Sequence, residues 1–337
     1  MAKLKEMINL RIKEPAAVLL RETGKIPFGM VLSHVRRSWV ENSDYPERVR
    51  EKAHENVQKK TFAYLSKRYG NLTRELVNRP QPGERLQEPV LWVFWWQGED
   101  AAPEIVKICI RSMRKHSGDA RLQVVDSFNY REFVPVSEGM EEKLRCGQIS
   151  LTHFSDYYRM ALLEHQGGIW IDGSVFVQRA LSGSVFEKPL FTMRNPGQEK
   201  HNISDWNWTV GVLGGWKGNT LFSACRRLLE MYWQDHSFPV DYFIFDYFIK
   251  LVYESCPMVR EQIEAVSPNN ADFYRLQQCA DQLWSDQWAR EMETSDTWLY
   301  KLSWKGQYLS ETADGRQTVY AKWLHDNTAD EKTEKIP

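Results

Sequence analysis

The stretch that decides the fold is His153–Val177, HFSDYYRMALLEHQGGIWIDGSVFV. Its first half is apolar around most of the helical circumference except at Arg159, which predicts a buried helix with Ser155 as its N-cap. The pair Gly167-Gly168 follows directly and supplies the left-handed conformation that commonly ends a helix. The next residues are therefore expected to begin a new element.

That element is a short buried strand, Ile169–Ile171, which ends at Asp172. Ligands of open α/β sheets collect at the carboxyl ends of strands, so Asp172 is expected at a ligand site. A carboxylate there can bind a hard divalent cation that also bridges two phosphates. Gly173 would let a ligand approach the backbone, and Ser174 would give the metal a neutral oxygen ligand or hold a metal-bound water.

Asp156 and Arg159 are close enough in the helix to project from one side. A structural ion pair is one interpretation of this spacing. The other is functional, because a helix N-terminus beside a strand end is an anion site, and the guanidinium fork suits phosphate or sugar hydroxyls. In this order with Asp172, the residues favour a nucleotide-diphosphate site.

The flanking sequence predicts the sheet that carries this strand. Val90–Trp96 is a continuous apolar run typical of a buried parallel strand, followed by a predicted helix at Glu104–His116 and a second strand at Leu122–Val125. This order indicates a βαβ unit in an open α/β sheet. A further strand is expected at Thr209–Leu213, and the breaker cluster Arg79–Gly83 indicates a domain boundary.

Composition narrows the class of protein. Hydrophobic residues make up 42% of the chain and charged residues 26%, which is ordinary for a globular protein. The five cysteines are scattered and form no CxxC, which argues against a disulfide framework or a structural zinc site. The sequence has neither a long apolar run nor a signal-peptide core, so we expect a cytoplasmic protein.

Charge is distributed unevenly along the chain. Residues 1–85 carry 18 Lys and Arg against 10 Asp and Glu, whereas the remainder carries 26 against 35. A basic arm before an acidic body favours peripheral contact with an anionic lipid surface, at the inner face of the cell membrane. The alternative is a solvated helical surface with no partner. The arm has no nucleic-acid-binding motif, which argues against a nucleic-acid partner.

The motif S-D-x-x-R, an apolar helix and G-G-I-W-I-D-x-S, at Ser155–Ser174, resembles the core of the capsular polysaccharide synthesis glycosyltransferases. These are sugar transferases of the DXD class, related to a group of mannosyltransferases and more distantly to glucosylating toxins. The resemblance extends from about Glu88 to Lys305 and includes FWWQG at Phe94–Gly98, the run DYFIFDYFI, and YKLSWK at Tyr300–Lys305.

The resemblance implies a GT-A-type α/β fold, with a mixed, mostly parallel central sheet flanked by helices and a helical N-terminal extension. It also implies roles for individual residues. Catalysis is assigned to Asp156, Arg159 and Asp172; the nucleotide-sugar donor to Trp95, Gln97, Asp156, Arg159, Gly173, Ser303 and Trp304; and a manganese or magnesium ion to Asp172 and Ser174. Trp95 is expected to stack on the nucleobase, and Ser303 and Trp304 to close over the diphosphate. Lys301 and Lys305 are candidates to neutralise phosphate charge there, and solvated lysines are the alternative.

The sequence departs from a full DXD motif because Ser174 stands where a second acid would be, which should weaken metal binding. Asp241 and Asp246 are candidates to compensate, and they are also assigned to the acceptor side; helix-capping or surface roles are the alternative. Trp206 and Asn207 are predicted to contact the acceptor, because aromatic faces stack on sugars.

The hypothesis is a hexosyltransferase that moves a sugar from a nucleotide diphosphate donor to a hydroxyl of a glycan or lipid-linked glycan, with retention of configuration, in capsular or surface polysaccharide synthesis. The alternatives are a non-catalytic carbohydrate-binding protein on a decayed transferase fold, and a metal-dependent nucleotide-sugar hydrolase or phosphotransferase. The expected organisation is a basic helical region at 1–85, a catalytic domain at 86–325 and a polar tail at 326–337.

Overall fold

The computed structural model describes residues 26–197 and 202–328. Over these residues the chain forms seven strands, twelve α-helices and a short 3-10 helix at Gly183–Val185. The strands are β1 (Val90–Phe94), β2 (Arg121–Val125), β3 (Gly168–Ile171), β4 (Val175–Val177), β5 (Leu190–Thr192), β6 (Val212–Gly215) and β7 (Leu299–Lys301). The helices are α1 (Phe28–Glu41), α2 (Glu47–Leu76), α3 (Glu104–His116), α4 (Tyr130–Phe133), α5 (Glu138–Arg145), α6 (Leu151–Gln166), α7 (Thr220–Asp235), α8 (Ile244–Ser255), α9 (Pro257–Glu264), α10 (Arg275–Cys279), α11 (Asp286–Thr294) and α12 (Val319–Thr328).

Five strands form the central sheet in the order β2-β1-β3-β6-β5, among the described residues. β1 is parallel to both β2 and β3, whereas β6 is antiparallel to β3 and β5. The start of β6 therefore lies at the same edge as the carboxyl ends of β1 and β3. β4 and β7 form a separate antiparallel pair beside this edge.

Both faces of the sheet are covered. Trp92 and Phe94 of β1 belong to one core cluster, together with residues of α6, α7 and α8. Leu91 and Val93 point to the opposite face and join a second cluster with residues of α3, α11 and α12. Burial on both faces explains why β1 is a continuous apolar run rather than an alternating one.

The N-terminal helices are packed onto this body. Met30 of α1 and Leu65 and Tyr69 of α2 are buried in the same cluster as the residues of α6, α7 and α8. Glu84, in the segment after α2, forms a bridge with Lys217. The boundaries proposed at residues 85 and 325 remain predictions, and residues 1–25 and 329–337 lie outside the described residues.

The expected GT-A-like α/β fold is confirmed, including the parallel pairs β1–β2 and β1–β3 and the helical N-terminal part. The predicted strand at Thr209–Leu213 is displaced, because β6 covers Val212–Gly215. Ser155 is not the N-cap: α6 begins at Leu151, and the Ser150 side chain accepts the cap hydrogen bond from the backbone N–H of His153. Asp156 and Arg159 therefore lie within the helix rather than at its N-terminus.

Within the described ranges, no helix is both long enough and apolar enough to cross a membrane.

Candidate functional site

A cleft of about 780 Å³ opens at the carboxyl edge of the central sheet. Three segments line it: the end of β1, the side of α6 with the residues after β3, and the chain that follows β7. Small-molecule sites usually enclose about 300–1,000 Å³, so the cleft is large enough for a nucleotide sugar. The sequence-predicted residues that line it are Trp95, Gln97, Asp156, Arg159, Asp172, Gly173, Ser174, Ser303 and Trp304.

Asp172 lies at the inner end of this cleft. Its Oδ1 accepts hydrogen bonds from Arg159 Nη2 at 3.2 Å and from Trp170 Nε1 at 3.0 Å. Its Oδ2 accepts one from Lys301 Nζ at 2.8 Å. The antiparallel pairing of β3 with β6 places Gly211 opposite, and the backbone N–H of Asp172 donates to the Gly211 carbonyl. Both oxygens of the carboxylate thus have cationic partners.

The electrostatics of Asp172 follow from these contacts. Burial acts to raise the pKa of its carboxyl, but Lys301 and Arg159 outweigh burial and hold the pKa well below its usual range. The carboxylate is therefore charged at every physiological pH. Space beside it is tight, since a Cβ on Gly211 would lie 2.9 Å from Asp172 Oδ2.

Arg159 is buried, with 4% of its surface exposed. Its guanidinium lies over the rings of Trp170, at 4.7 Å, and Phe245, at 5.4 Å. Nη1 is 3.6 Å from Asp156 Oδ1, which is too long for a hydrogen bond. Neither Nη1 nor Nε has a hydrogen-bond partner among the described residues. A buried guanidinium with unused donors beside a cleft is equipped to bind an anion.

Asp156 differs from Asp172 although both contact Arg159. Burial raises the pKa of Asp156 to about 7; Arg159 opposes this shift, and Asp246 and Asp172 add to it. Burial also raises the pKa of Asp246 to about 6, against the hydrogen bond from Trp208 Nε1. Asp246 lies outside the lining of the cleft, but Asp156 is only partly ionised near neutral pH, so the cleft carries less negative charge than its two aspartates suggest, which favours an anionic ligand.

Aromatic residues form the outer part of the cleft. Trp95 and Trp304 meet edge to face, with ring centroids 5.9 Å apart. The buried Nε1 of Trp95 has no hydrogen-bond partner among the described residues. Trp304 is 49% exposed, and the ammonium of Lys305 lies over its ring. Gly173 leaves space beside Trp95, since a Cβ on residue 173 would touch the Trp95 ring at 3.4 Å.

The structure does not bring the predicted acceptor residues into this cleft. Asn207 accepts a hydrogen bond from Arg194 and donates to the Ser204 carbonyl, and Trp206 lies in the same loop. Asp241 is buried, pairs with Arg37 of α1 at 2.9 Å, and accepts from the N–H of Phe243 at the start of α8. These contacts are structural, but they do not cap α8, whose N-cap residue Phe243 has no side-chain cap hydrogen bond. Acceptor contact by these residues stays a prediction.

The donor set at Asp172 does not suit a divalent cation. Its two oxygens already accept from Lys301, Arg159 and Trp170. The Ser174 carbonyl accepts from the N–H of Leu302, and Ser174 is almost fully buried. Within residues 26–197 and 202–328, no group of three or more His, Cys, Asp or Glu side chains could hold a metal ion. The metal role predicted for Asp172 and Ser174 therefore has no geometric support.

Three residues of the cleft, Trp170, Tyr242 and Tyr274, escaped the sequence-based assignment, and the contact of Lys301 with Asp172 was not predicted either. Lys301 reaches Asp172 because β7 pairs with β4, across 129 positions of chain, and no local pattern indicates that pairing. Trp170 could have been found, because residues two apart on a strand face the same side and Trp170 and Asp172 are so spaced. Tyr242 and Tyr274, both exposed, line the mouth of the cleft on loops without any regular pattern.

Two solved structures resemble the chain at low similarity. The PaToxG glycosyltransferase shares 13% identity over 70% of this chain and 93% of its own, with a TM-score of 0.36. The WbbM bifunctional glycosyltransferase shares 10% identity over 73% of this chain, with a TM-score of 0.37, and the match spans half of its length. No curated protein matches the sequence significantly.

The family comparison covers most of the chain. A family model described as "Capsular polysaccharide synthesis protein" matches residues 42–323, which begins in the N-terminal helical region and extends past the cleft. The resemblance seen in the sequence, from about Glu88 to Lys305, is thereby confirmed and extended in both directions. The chain belongs to the capsular polysaccharide synthesis protein family.

Proposed function

We propose that the protein is a glycosyltransferase that moves a hexose from a nucleotide diphosphate sugar to a hydroxyl of a glycan, in capsular or surface polysaccharide synthesis. Family membership supports the transferase class. The assignment of a nucleotide-sugar donor rests on the cluster of Arg159, Lys301 and Asp172 at the end of β3. It presents two cations, one with unused donors, to a cleft large enough for a nucleotide sugar.

Sugar transfer requires stabilisation of the negative charge that develops on the leaving diphosphate. The bond between the sugar C1 and the phosphate oxygen breaks, and the diphosphate leaves with the electron pair. The acceptor oxygen forms the new bond to C1, and its proton passes to the leaving phosphate oxygen. Fixed cations aimed at that oxygen lower the barrier because they need no reorganisation during the reaction. Arg159 and Lys301 are the cations in position.

The remaining residues of the cleft divide between sugar and base. Asp156, beside Arg159, is placed to bind hydroxyls of the donor sugar in either protonation state, since a neutral carboxyl both donates and accepts. Trp95 and Trp304 offer ring surface for the nucleobase, and base stacking on an aromatic side chain contributes roughly 1–3 kcal/mol. Retention follows if the acceptor attacks the face that the diphosphate leaves, with no protein nucleophile.

The test is product analysis with purified protein, UDP- and GDP-hexoses and oligosaccharide acceptors. The proposal expects release of one nucleoside diphosphate that depends on the acceptor, with an equal amount of glycosylated product detected by mass spectrometry. Asp172→Asn should abolish most of the nucleotide release and most of the glycosylated product. Release without acceptor would indicate the hydrolase alternative, and sugar binding with no turnover would indicate the non-catalytic carbohydrate-binding protein.

Peripheral membrane contact is proposed for the N-terminal region. Phe28 and Leu32, one turn apart on α1, are 68% and 56% exposed, and they follow a basic segment of the sequence. Apolar side chains beside basic residues are typical of helices that lie on anionic lipid. We expect the protein to sediment with phosphatidylserine vesicles at low salt and Phe28→Ser/Leu32→Ser to lose this. Equal sedimentation of both proteins would contradict it.

A further inference from the structure

Asp172, the carboxylate that was predicted to hold a metal ion, is paired with a lysine. Lys301 Nζ lies 2.8 Å from Asp172 Oδ2, and both side chains line the cleft. The backbone fixes this arrangement, because Val175 of β4 pairs with Lys301 of β7 and the Leu302 N–H donates to the Ser174 carbonyl. The two strands thus fix the backbone of Lys301 beside Asp172, and the ion pair with Asp172 orients its ammonium.

Because of the same contacts, both oxygens of the Asp172 carboxylate are already occupied and poorly available to a divalent ion. Arg159 and Trp170 occupy Oδ1, while Lys301 occupies Oδ2. A dication bound to either oxygen at about 2.1 Å would face two positive charges at close range. The residue that would supply the second carboxylate of a DXD motif is Ser174, which carries no charge.

We propose that Lys301 replaces the divalent cation: its ammonium, oriented by Asp172, neutralises the donor diphosphate, so that donor binding does not require a metal. This inference rests on the proposed function. An ammonium has three N–H donors, so Lys301 keeps Asp172 on one and offers the others to phosphate oxygens. Arg159, whose buried Nε and Nη1 have no hydrogen-bond partner among the described residues, adds a second positive charge to the lining of the cleft.

If Lys301 replaces the metal ion, the residues have different roles from those they would have at a metal site. Asp172 becomes a positioning residue that holds two cations and does not itself touch the donor. Lys301 touches the leaving group and donates a hydrogen bond to it as the C1–O bond breaks. The reaction keeps the same balance of atoms as above, because Lys301 only donates hydrogen bonds and no proton leaves it.

The test is calorimetric titration of the full-length protein with UDP and with GDP, each in EDTA and in manganese. We expect one nucleotide to bind with an affinity that differs less than threefold between the two conditions. Lys301→Met should weaken that binding at least tenfold, and Lys301→Arg should recover part of it.

A matched control is Lys250→Met. Lys250 is also a partly buried, ion-paired lysine, with contacts to Asp205 and Glu254, but it lies outside the cleft. Its loss should leave nucleotide affinity within twofold of the wild type. Circular dichroism melting of both variants separates lost binding from lost folding, and the comparison of EDTA with manganese needs no variant at all.

The outcomes separate this inference from the proposed function. Binding that appears only with manganese would overturn the inference and leave the transferase proposal standing. Unchanged affinity in a folded Lys301→Met protein would also overturn it. If neither nucleotide binds in any condition, the donor assignment fails and this inference fails with it.

Discussion

The floor and the rim of the cleft are built in opposite ways. The floor consists of charged side chains that are buried or partly buried and fixed by several contacts each, as at Arg159 and Asp172. The rim consists of large aromatic side chains that are half exposed, such as Trp304 at 49% and Tyr242 at 59%. Burial amplifies electrostatic interactions in the floor, whereas the rim offers contact area that can adapt.

The two parts of the cleft therefore suit different tasks: the floor stabilises charge, and the rim adapts to the shape of the ligand. A leaving diphosphate needs charges that are already oriented, and only packed strands and helices can hold them. A nucleobase and an acceptor need surface rather than fixed charge. The floor should therefore respond strongly to single substitutions and the rim weakly, and the following changes test that ordering.

Arg159→Ala should have the largest effect. It leaves Asp172 with only Lys301 as a cationic partner and Asp156 with none, and removing one partner of a buried ion pair commonly costs about 3–5 kcal/mol. Transfer should fall by about 10³-fold, because a charge that stabilises the leaving group is lost. Urea unfolding and initial rates measure the two effects. A rate within tenfold of the wild type would show that the floor is not the donor site.

Asp172→Asn comes next. It keeps the side-chain shape but releases Lys301 and Arg159 from their orientation, and misplacing catalytic groups by about 1 Å costs roughly 10²-fold in rate. Stability should also change with pH. The pKa of Asp172 is depressed in the native state, so the wild type gains stability above the unfolded pKa and loses it as the pH falls. The variant should lack that acid-dependent loss; identical acid unfolding curves would contradict this account.

The sequence predicted the helices and strands around the cleft better than the contacts between distant segments, for physical reasons. Apolar periodicity is local, so α3 has the expected bounds and β3 differs by one residue. Asp156 and Arg159 meet because helix geometry fixes neighbours three apart. The contact of Lys301 with Asp172 could not be predicted in this way, because it depends on a strand pairing between distant segments. Trp206 and Asn207 lie outside the lining of the cleft, and composition alone does not say which way their loop runs.

Asp156→Asn should have an intermediate effect that depends on pH. Burial raises the pKa of Asp156 from 3.8 to about 7, so the native state binds this proton more tightly than the unfolded state. Wild-type stability should then fall as the pH rises through this interval, by up to about 4 kcal/mol from this residue. The variant should gain stability relative to the wild type between pH 5 and pH 8 in urea unfolding. A constant difference across that range would show that Asp156 does not titrate there.

Trp304→Ala should have the smallest effect. The side chain is half exposed and contacts Trp95 only edge to face, so its removal should leave the melting temperature unchanged. Loss of one stacking surface, worth about 1–2 kcal/mol, predicts a nucleotide affinity that is weaker by about 5–30-fold. Trp304→Phe should recover most of it. An effect on binding as large as that of Arg159→Ala would invert the proposed ordering.

The central claim is that the fixed charges of the floor hold the donor diphosphate, and one comparison tests it most directly. Arg226 is the control: it is a partly buried arginine, paired with Glu164 and Glu230, and it lies outside the cleft. The measurement is the affinity of Arg159→Lys and Arg226→Lys for the nucleoside diphosphate that the wild type binds. We predict at least a tenfold loss for Arg159→Lys and less than a twofold change for Arg226→Lys. Equal affinities in two folded variants would contradict the account.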